Sequence, residues 1–403
     1  MKQTALLLFT FAMTLCCTFP PVSAQEQRPT LKPYTAVIPA RDFSWDAAFS
    51  AASAPATSGL QIWARSVSAT KDGNSYPIVM VGRDPSTSTV TTSIPALIIP
   101  VIVNINGTVF NPTVADTVCM VAPNDVPLTV FRQSPLFNNH AFTMNGVKEG
   151  ITQYIDAFQR ANFANEVAST YHTKLGSITI AAAQTFTVPA GSGSVNPDAL
   201  FGNGGCGPNK NPNGLFGIMD INAFDPWVTG TALPAAHATP NMLPILLLYN
   251  VVMSSGAPTV ANCCILGYHG ATGGPPSGQT YSPMEFDQTG IFGSTTNDTS
   301  ISAHEIGEWM DDPYGNNPTP AWGNIGQVSG CQGNLEVGDP LSGTLFPAVK
   351  MSSNNYTYHL QELAFFSWFY NSQSTPSIGA GGKFSNHGTF KGPSQPCPPG
   401  GTF

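Results

Sequence analysis

Two long apolar runs in the chain predict strands that are buried on both faces. The first covers residues 97–105 and is rich in β-branched side chains, and the second covers residues 243–252. A strand with one buried face alternates apolar and polar residues, so an uninterrupted run indicates a strand that is covered on both sides. Shorter runs predict further strands at 177–188, 263–268 and 280–286.

Two other segments have the spacing of amphipathic helices. Apolar and aromatic residues recur at helical intervals over 150–171, which predicts a helix that packs on the strand at 97–105. A second helix is predicted over 298–312, because Asn297 and its neighbours provide N-capping side chains and Pro313 ends the run. Strands and helices together predict an α+β fold with a mixed β-sheet.

The first residues of the chain have the three parts of a cleavable signal peptide. Lys2 precedes an apolar run at 5–9, and small residues at Val22, Ser23 and Ala24 complete a leader of residues 1–24. This pattern predicts a secreted protein, in the extracellular space, in the periplasm or at the cell surface. Six cysteines remain after the leader, and in an oxidising compartment they predict disulfides whose pairing the sequence leaves open: Cys119, Cys206, Cys263, Cys264, Cys331 and Cys397.

The rest of the chain divides into three predicted regions. Residues 25–94 are rich in Pro, Ser, Thr and Ala, which predicts an extended lead-in with a few edge strands. The main domain is predicted to cover 95–345. A C-terminal subdomain at 346–403 contains an aromatic segment at 362–369, predicted to be helical, and a tail rich in Gly and Pro.

Composition excludes several classes of function. Only 15 of 403 residues are Lys or Arg and the net charge is −8, so the chain lacks the cationic surface that a nucleic-acid-binding protein needs. A hydrophobic content of 42% excludes intrinsic disorder. No run after the leader reaches 18 apolar residues, which predicts that the mature protein has no membrane span. The oligomeric state is not predicted.

One segment concentrates ionisable side chains in a chain that is otherwise poor in charge. Five of the nine residues from 304 to 312 are His, Glu or Asp. On a helix, His304 and Glu308 stand one turn apart on the same face, where an imidazole and a carboxylate can share a cation. Glu305 lies beside the first ligand and can take a proton from a water molecule that the ion activates. Glu336 and Asp339 are the next acidic residues and are candidates for a third ligand.

These residues resemble the His-Glu-x-x-His helix of secreted metallopeptidases of the zincin type. The resemblance implies a zincin-like sheet with a backing helix and an active-site helix, and a peptide or protein substrate. It implies that His304 and Glu308 bind the metal, that Glu305 is the general base, and that Glu336 or Asp339 is the third ligand. The pair formed by this motif and Glu336-Val337-Gly338-Asp339 also resembles segments of exordium-like, phosphate-induced proteins.

The sequence departs from the zincin pattern at Glu308, which replaces a histidine. One imidazole with carboxylates is a harder ligand set, so zinc is expected while manganese, iron and calcium stay open. A second hypothesis is a non-catalytic secreted or cell-surface protein that keeps the fold and a structural ion. Glu305 separates the two hypotheses, because a structural ion has no use for a general base.

Other polar residues near the motif have simpler interpretations. Asp311 and Asp312 are interpreted as helix-end or loop-capping residues. His269 is interpreted as a loop histidine with a backbone partner, although it can also line the cleft. The motif helix itself has a plain alternative, an acidic helix whose polar face is solvated or salt-bridged. The scarcity of Lys and Arg nearby argues against this alternative, because repulsion among the carboxylates would go uncompensated.

Overall fold

The structure is a computed structural model that describes residues 31–54, 59–120, 126–201, 204–206, 211, 213–370, 383–388, 390 and 397. The predicted leader at 1–24 lies outside these residues. The fold is mixed α+β with more strand than helix, which agrees with the predicted class.

The described strands are β1 (Tyr34–Ile38), β2 (Ile62–Ser68), β3 (Ser75–Val81), β4 (Thr92–Ile105), β5 (Thr108–Phe110), β6 (His140–Met144), β7 (Val147–Thr152), β8 (Thr173–Ile180), β9 (Gln184–Thr187), β10 (Gly193–Pro197), β11 (Leu215–Asp220), β12 (Leu243–Tyr249), β13 (Val251–Ser254), β14 (Cys263–Ala271), β15 (Thr280–Phe286), β16 (Pro318–Ile325), β17 (Val328–Asn334), β18 (Val349–Lys350) and β19 (Thr357–Tyr358). The described helices are α1 (Trp45–Ser53), α2 (Pro127–Arg132), α3 (Tyr154–Asn162), α4 (Ile221–Trp227), α5 (Leu233–Ala235), α6 (Ser300–Asp311) and α7 (Phe366–Tyr370).

A large mixed sheet organises the molecule, with the strand order β10-β11-β13-β14-β15-β12-β4-β5. Strands β8 and β9 pair with β4, and β1 pairs with β14. All seven residues of β12 are buried. Ile245 and Leu247 belong to one core, which also contains α6, whereas Leu246 and Leu248 belong to a second core on the other face of the sheet. The uninterrupted apolar run therefore arises from burial on both faces, as predicted.

The predicted helix at 150–171 is too long at both ends. Helix α3 covers only Tyr154–Asn162, and residues 150–152 belong to β7, which forms a hairpin with β6. Gly150 has φ 93°, a left-handed conformation that cannot continue a helix of L residues. The helix packs mainly on this hairpin and also contacts β8 and α6.

Two other predicted elements also differ in extent. The strand expected at 177–188 is two strands, β8 and β9, that pair with successive parts of β4. The aromatic helix expected at 362–369 is reduced to Phe366–Tyr370. Its first residues are not helical because the N–H of Ala364 donates to the carbonyl of Val337, which ties this segment to the chain that follows α6.

The lead-in contributes directly to the surroundings of α6. Strand β1 runs parallel to β14, with Val37 opposite His269. The hairpin of β2 and β3 follows, and β3 packs against α6. The hydrophobic core that surrounds α6 extends from Leu31 to Tyr370, so residues on both sides of the predicted boundaries at 94 and 345 share it.

All six cysteines that follow the predicted leader lie at disulfide distance. The pairs are Cys119 with Cys206, Cys263 with Cys264, and Cys331 with Cys397. Within the part of the chain that the structure describes, no helix has the length and apolar character needed to cross a membrane.

Candidate metal centre

Helix α6 is buried along its whole length. All twelve residues of Ser300–Asp311 are buried, and the side chains of His304 and Glu305 have no exposed surface. The alternative of an acidic helix with a solvated face is therefore wrong. Close packing is possible because Gly267 on β14 faces the helix, where an added Cβ would come within 2.7 Å of the Ile301 side chain.

The first group of ligand atoms contains His304, Glu308 and Asp339, and we call it the His304 group. The Nε2 atom of His304 lies 2.9 Å from Oε1 of Glu308 and 3.4 Å from Oδ1 of Asp339. The three ligand atoms all lie within 4.8 Å of one another. The geometry therefore brings together the two helix residues of the motif and one of the two candidates for the third ligand.

Gly338 allows Asp339 to reach the helix. Its N–H donates to Oε1 of Glu308 at 3.1 Å, so the backbone and the helix are in direct contact. A Cβ at this position would lie only 2.4 Å from Nδ1 of His304, so no larger residue fits without displacement of the ring. Leu335 and Val337 anchor the same segment in the core.

A second group of ligand atoms contains His269, Glu308 and Glu336, and we call it the His269 group. The interpretation of His269 as a loop residue is wrong, because it lies within β14 and is fully buried. Its Nδ1 atom is 3.3 Å from Oε2 of Glu305 and 3.7 Å from Oε2 of Glu308. Glu336 joins this group and not the His304 group. In the sequence, Gly267 and Gly270 are the local signal for this arrangement, because glycines allow a helix and another strand to approach β14 closely.

Three residues that the sequence did not indicate support His304. The hydroxyl of Thr35 on β1 is 2.8 Å from Nε2 of His304, and the backbone N–H of Thr35 donates to Gln327 at 3.0 Å. On the other side of the ring, the amide of Gln361 is 2.7 Å from Nδ1. The same amide nitrogen donates to the carbonyl of Gly338 at 2.8 Å, which anchors Gln361 beside the imidazole.

Burial raises the pKa values of three carboxyl groups of the centre, whereas a neighbouring histidine lowers the pKa of the fourth. Burial raises the pKa of Glu305 to about 7 and that of Asp339 to about 6. Burial together with the charge of Glu308 raises the pKa of Glu336 well above its ordinary value. Burial also acts to raise the pKa of Glu308, but the adjacent His304 outweighs it and lowers this pKa.

Among the described residues, no Lys or Arg side chain forms an ion pair with a carboxylate of the centre. Within the described residues, the ion pairs of Glu305, Glu308 and Asp339 are with histidines only. Oε1 of Glu305 and Nε2 of His269 are buried and have no hydrogen-bond partner. Buried carboxylates that face one another require protons or a cation, and nitrogen with carboxylate oxygen is a ligand set for divalent metals. The residues therefore fit a metal ion, whose identity is not determined.

A pocket of about 300 Å³ lies beside the two groups. Its walls come from β1, from β17 and from the segment that carries Glu336 and Asp339. Because two of the candidate ligands line the pocket, a ligand in it would lie against the centre.

No protein-family model matches the chain, and neither a curated protein nor a solved structure matches it at a significant level. The chemistry of the centre must therefore be inferred from its own residues.

Proposed function

We propose that the protein is a metal-dependent peptidase in which His304, Glu308 and Asp339 hold a divalent cation and Glu305 is the general base. The observation that carries this proposal is the state of Glu305. It is buried beside the His304 group, and one of its oxygens has no partner. A buried carboxylate oxygen that has no partner and lies beside candidate metal ligands is placed to accept a proton from water.

In this proposal, the His304 group binds the metal and Glu305 transfers the proton. When bound, a divalent cation polarises a carbonyl group and lowers the pKa of water. Glu305 has a pKa of about 7 because it is buried, so it can accept a proton from water and later give it to the departing amine near neutral pH. His269 holds Oε2 of Glu305 at 3.3 Å and leaves Oε1 free for this transfer.

The pocket beside the centre supports the proposal that the substrate is a peptide. It is lined by the backbone and side chains of β1 and by polar residues such as Gln327 and Gln332. These groups offer hydrogen-bond donors and acceptors of the kind that bind an extended peptide. Zinc is the expected metal, and the two carboxylates of the His304 group keep manganese, iron and calcium open.

A second candidate function is a non-catalytic protein with a structural ion. Two observations favour it: His304 has no exposed surface, and the hydroxyl of Thr35 already lies 2.8 Å from its Nε2 atom. An ion enclosed in this way would stabilise the fold without access to a substrate.

The two candidates are separated by Glu305→Gln. The peptidase proposal predicts that the metal-loaded parent cleaves a mixture of unfolded proteins, and that the variant loses about 10²- to 10⁴-fold in rate with unchanged metal content. Glu166→Gln is the matched control, since Glu166 pairs with Arg65 away from the centre, and it should retain full activity. A metal-loaded parent without hydrolysis would favour the structural ion. An active Glu305→Gln variant would remove the general-base role.

A further inference from the structure

The His304 group and the His269 group share one residue, Glu308. We infer that the chain binds two divalent cations, the second held by His269, Glu308 and Glu336, with the carboxylate of Glu308 contributing one oxygen to each. This inference rests on the proposed metal centre, because the second ion shares a ligand with the first.

The orientation of the Glu308 carboxylate is the first support. Oε1 lies 2.9 Å from Nε2 of His304, and Oε2 lies 3.7 Å from Nδ1 of His269. Each oxygen therefore faces a different imidazole. A carboxylate placed in this way is typical of sites in which two metal ions lie about 3.5–4 Å apart.

The charge of the centre is the second support. Metal ligands are deprotonated when the metal binds. In that state, with Glu305 also ionised as the general base, the four carboxylates (Glu305, Glu308, Glu336 and Asp339) and two neutral imidazoles carry a charge of −4. One divalent cation would leave −2 in a buried site where, among the described residues, histidines are the only ion-pairing partners of Glu305, Glu308 and Asp339. Two divalent cations balance the charge, and uncompensated buried charge is strongly destabilising.

The surroundings of Glu336 and His269 are the third support. Asn334 donates to Oε1 of Glu336 at 2.7 Å and orients the carboxylate. Ligand atoms of Glu336, Glu308 and His269 lie within 4.8 Å of one another, close enough for one cation to contact all three. His269 is fully buried and its Nε2 atom has no partner. With the ring proton on Nε2, Nδ1 is free to bind a cation that also contacts Glu308, and it then no longer donates to Glu305.

The alternative is that His269 only positions Glu305. In that case a single cation would bind and His269 would carry no metal. Counting the ions bound per chain separates the two possibilities without use of the enzymatic activity.

The experiment is elemental analysis of the full secreted chain after loading with Zn²⁺ and removal of free metal. The parent should hold two ions per chain, and His269→Ala, Glu336→Gln and Asp339→Asn should each hold one. Glu285→Gln is the matched control, because Glu285 is another fully buried glutamate outside both groups, and it should still hold two.

The results distinguish this inference from the proposed function. One ion in the parent and one in His269→Ala would overturn the second site and leave the proposed function intact. No ion in the parent would overturn both. If a variant fails to fold, Mn²⁺ bound to the parent is measured by electron paramagnetic resonance: a spin-coupled pair supports two adjacent ions, and the spectrum of an isolated ion at saturation overturns them.

Discussion

The C-terminal end and the middle of α6 bury acidic side chains in contrasting ways. At the C-terminal end, Asp311 accepts hydrogen bonds from the amides of Gln159 and Asn162. Asp312 accepts the backbone N–H groups of Asn316 at 2.9 Å and Asn317 at 2.8 Å, which agrees with the predicted loop-capping role. In the middle of the helix, Glu308 faces other carboxyl groups and Glu305 leaves one oxygen without a partner.

The difference shows that burial alone does not mark a functional carboxylate. The partners decide, because a carboxylate surrounded by fixed N–H donors is already satisfied by the protein. A carboxylate that faces other acceptors is satisfied only by a proton or a cation. The C-terminal aspartates therefore have their acceptors filled by the fold, whereas the glutamates in the middle of the helix belong to the candidate metal centre. Four predictions test this distinction.

The largest expected effect is the loss of metal-dependent stability in His304→Ala. Metal that binds only the folded parent should raise its free energy of unfolding by about 4 kcal/mol at a metal concentration 1,000 times the Kd. The variant should gain little, because a ligand of the first ion is missing. Denaturant unfolding with and without Zn²⁺ measures the gain. An unchanged gain would show that His304 binds no metal.

Asp312→Ala should produce the opposite pattern. It leaves two backbone N–H groups without an acceptor, which is expected to cost about 2–4 kcal/mol of stability with or without metal. Metal content should not change. Unfolding curves and elemental analysis test this, and a loss of metal would place Asp312 in the centre rather than in the scaffold.

A pair of glutamine substitutions gives a sharper comparison. Gln361→Leu removes the amide beside Nδ1 of His304 and should weaken metal binding about 10- to 100-fold. Gln159→Leu removes a partner of Asp311 and should lower stability while leaving metal affinity unchanged. Competition with a chelator of known affinity measures both. Equal losses of metal affinity in the two variants would contradict the distinction between the middle and the C-terminal end of the helix.

The smallest expected effect, measured within a single pH unit, is on the pH dependence of stability without metal. Burial raises the pKa of Asp311 from an ordinary value of 3.8 to about 8. The folded state therefore holds a proton that the unfolded state has lost between about pH 4 and 8, so stability falls as pH rises through this window. Asp311→Asn should make the slope shallower by up to about 1.4 kcal/mol per pH unit. Identical slopes in chelator-treated parent and variant would contradict the shifted pKa.

Apolar runs predicted the central strands better than the spacing of apolar residues predicted α3. The runs at 97–105 and 243–252 fall in β4, β12 and β13, because few environments other than a doubly covered strand accept so many consecutive apolar residues. The periodicity over 150–171 overextended α3. Aromatic residues at helical intervals also occur where a hairpin and a helix contribute to one core, and the periodicity does not reveal which backbone groups pair.

The sequence by itself determined that His304, Glu305 and Glu308 stand together, because helical geometry alone places residues four apart on one face. It also indicated that Glu336 or Asp339 completes a site. Only the tertiary structure decided that Asp339 joins His304 while Glu336 joins His269, and that Thr35, 269 residues from His304, touches its ring. Such contacts depend on how β1, β14 and the segment after α6 pack around the helix. Local spacing carries no information about partners so distant in the chain.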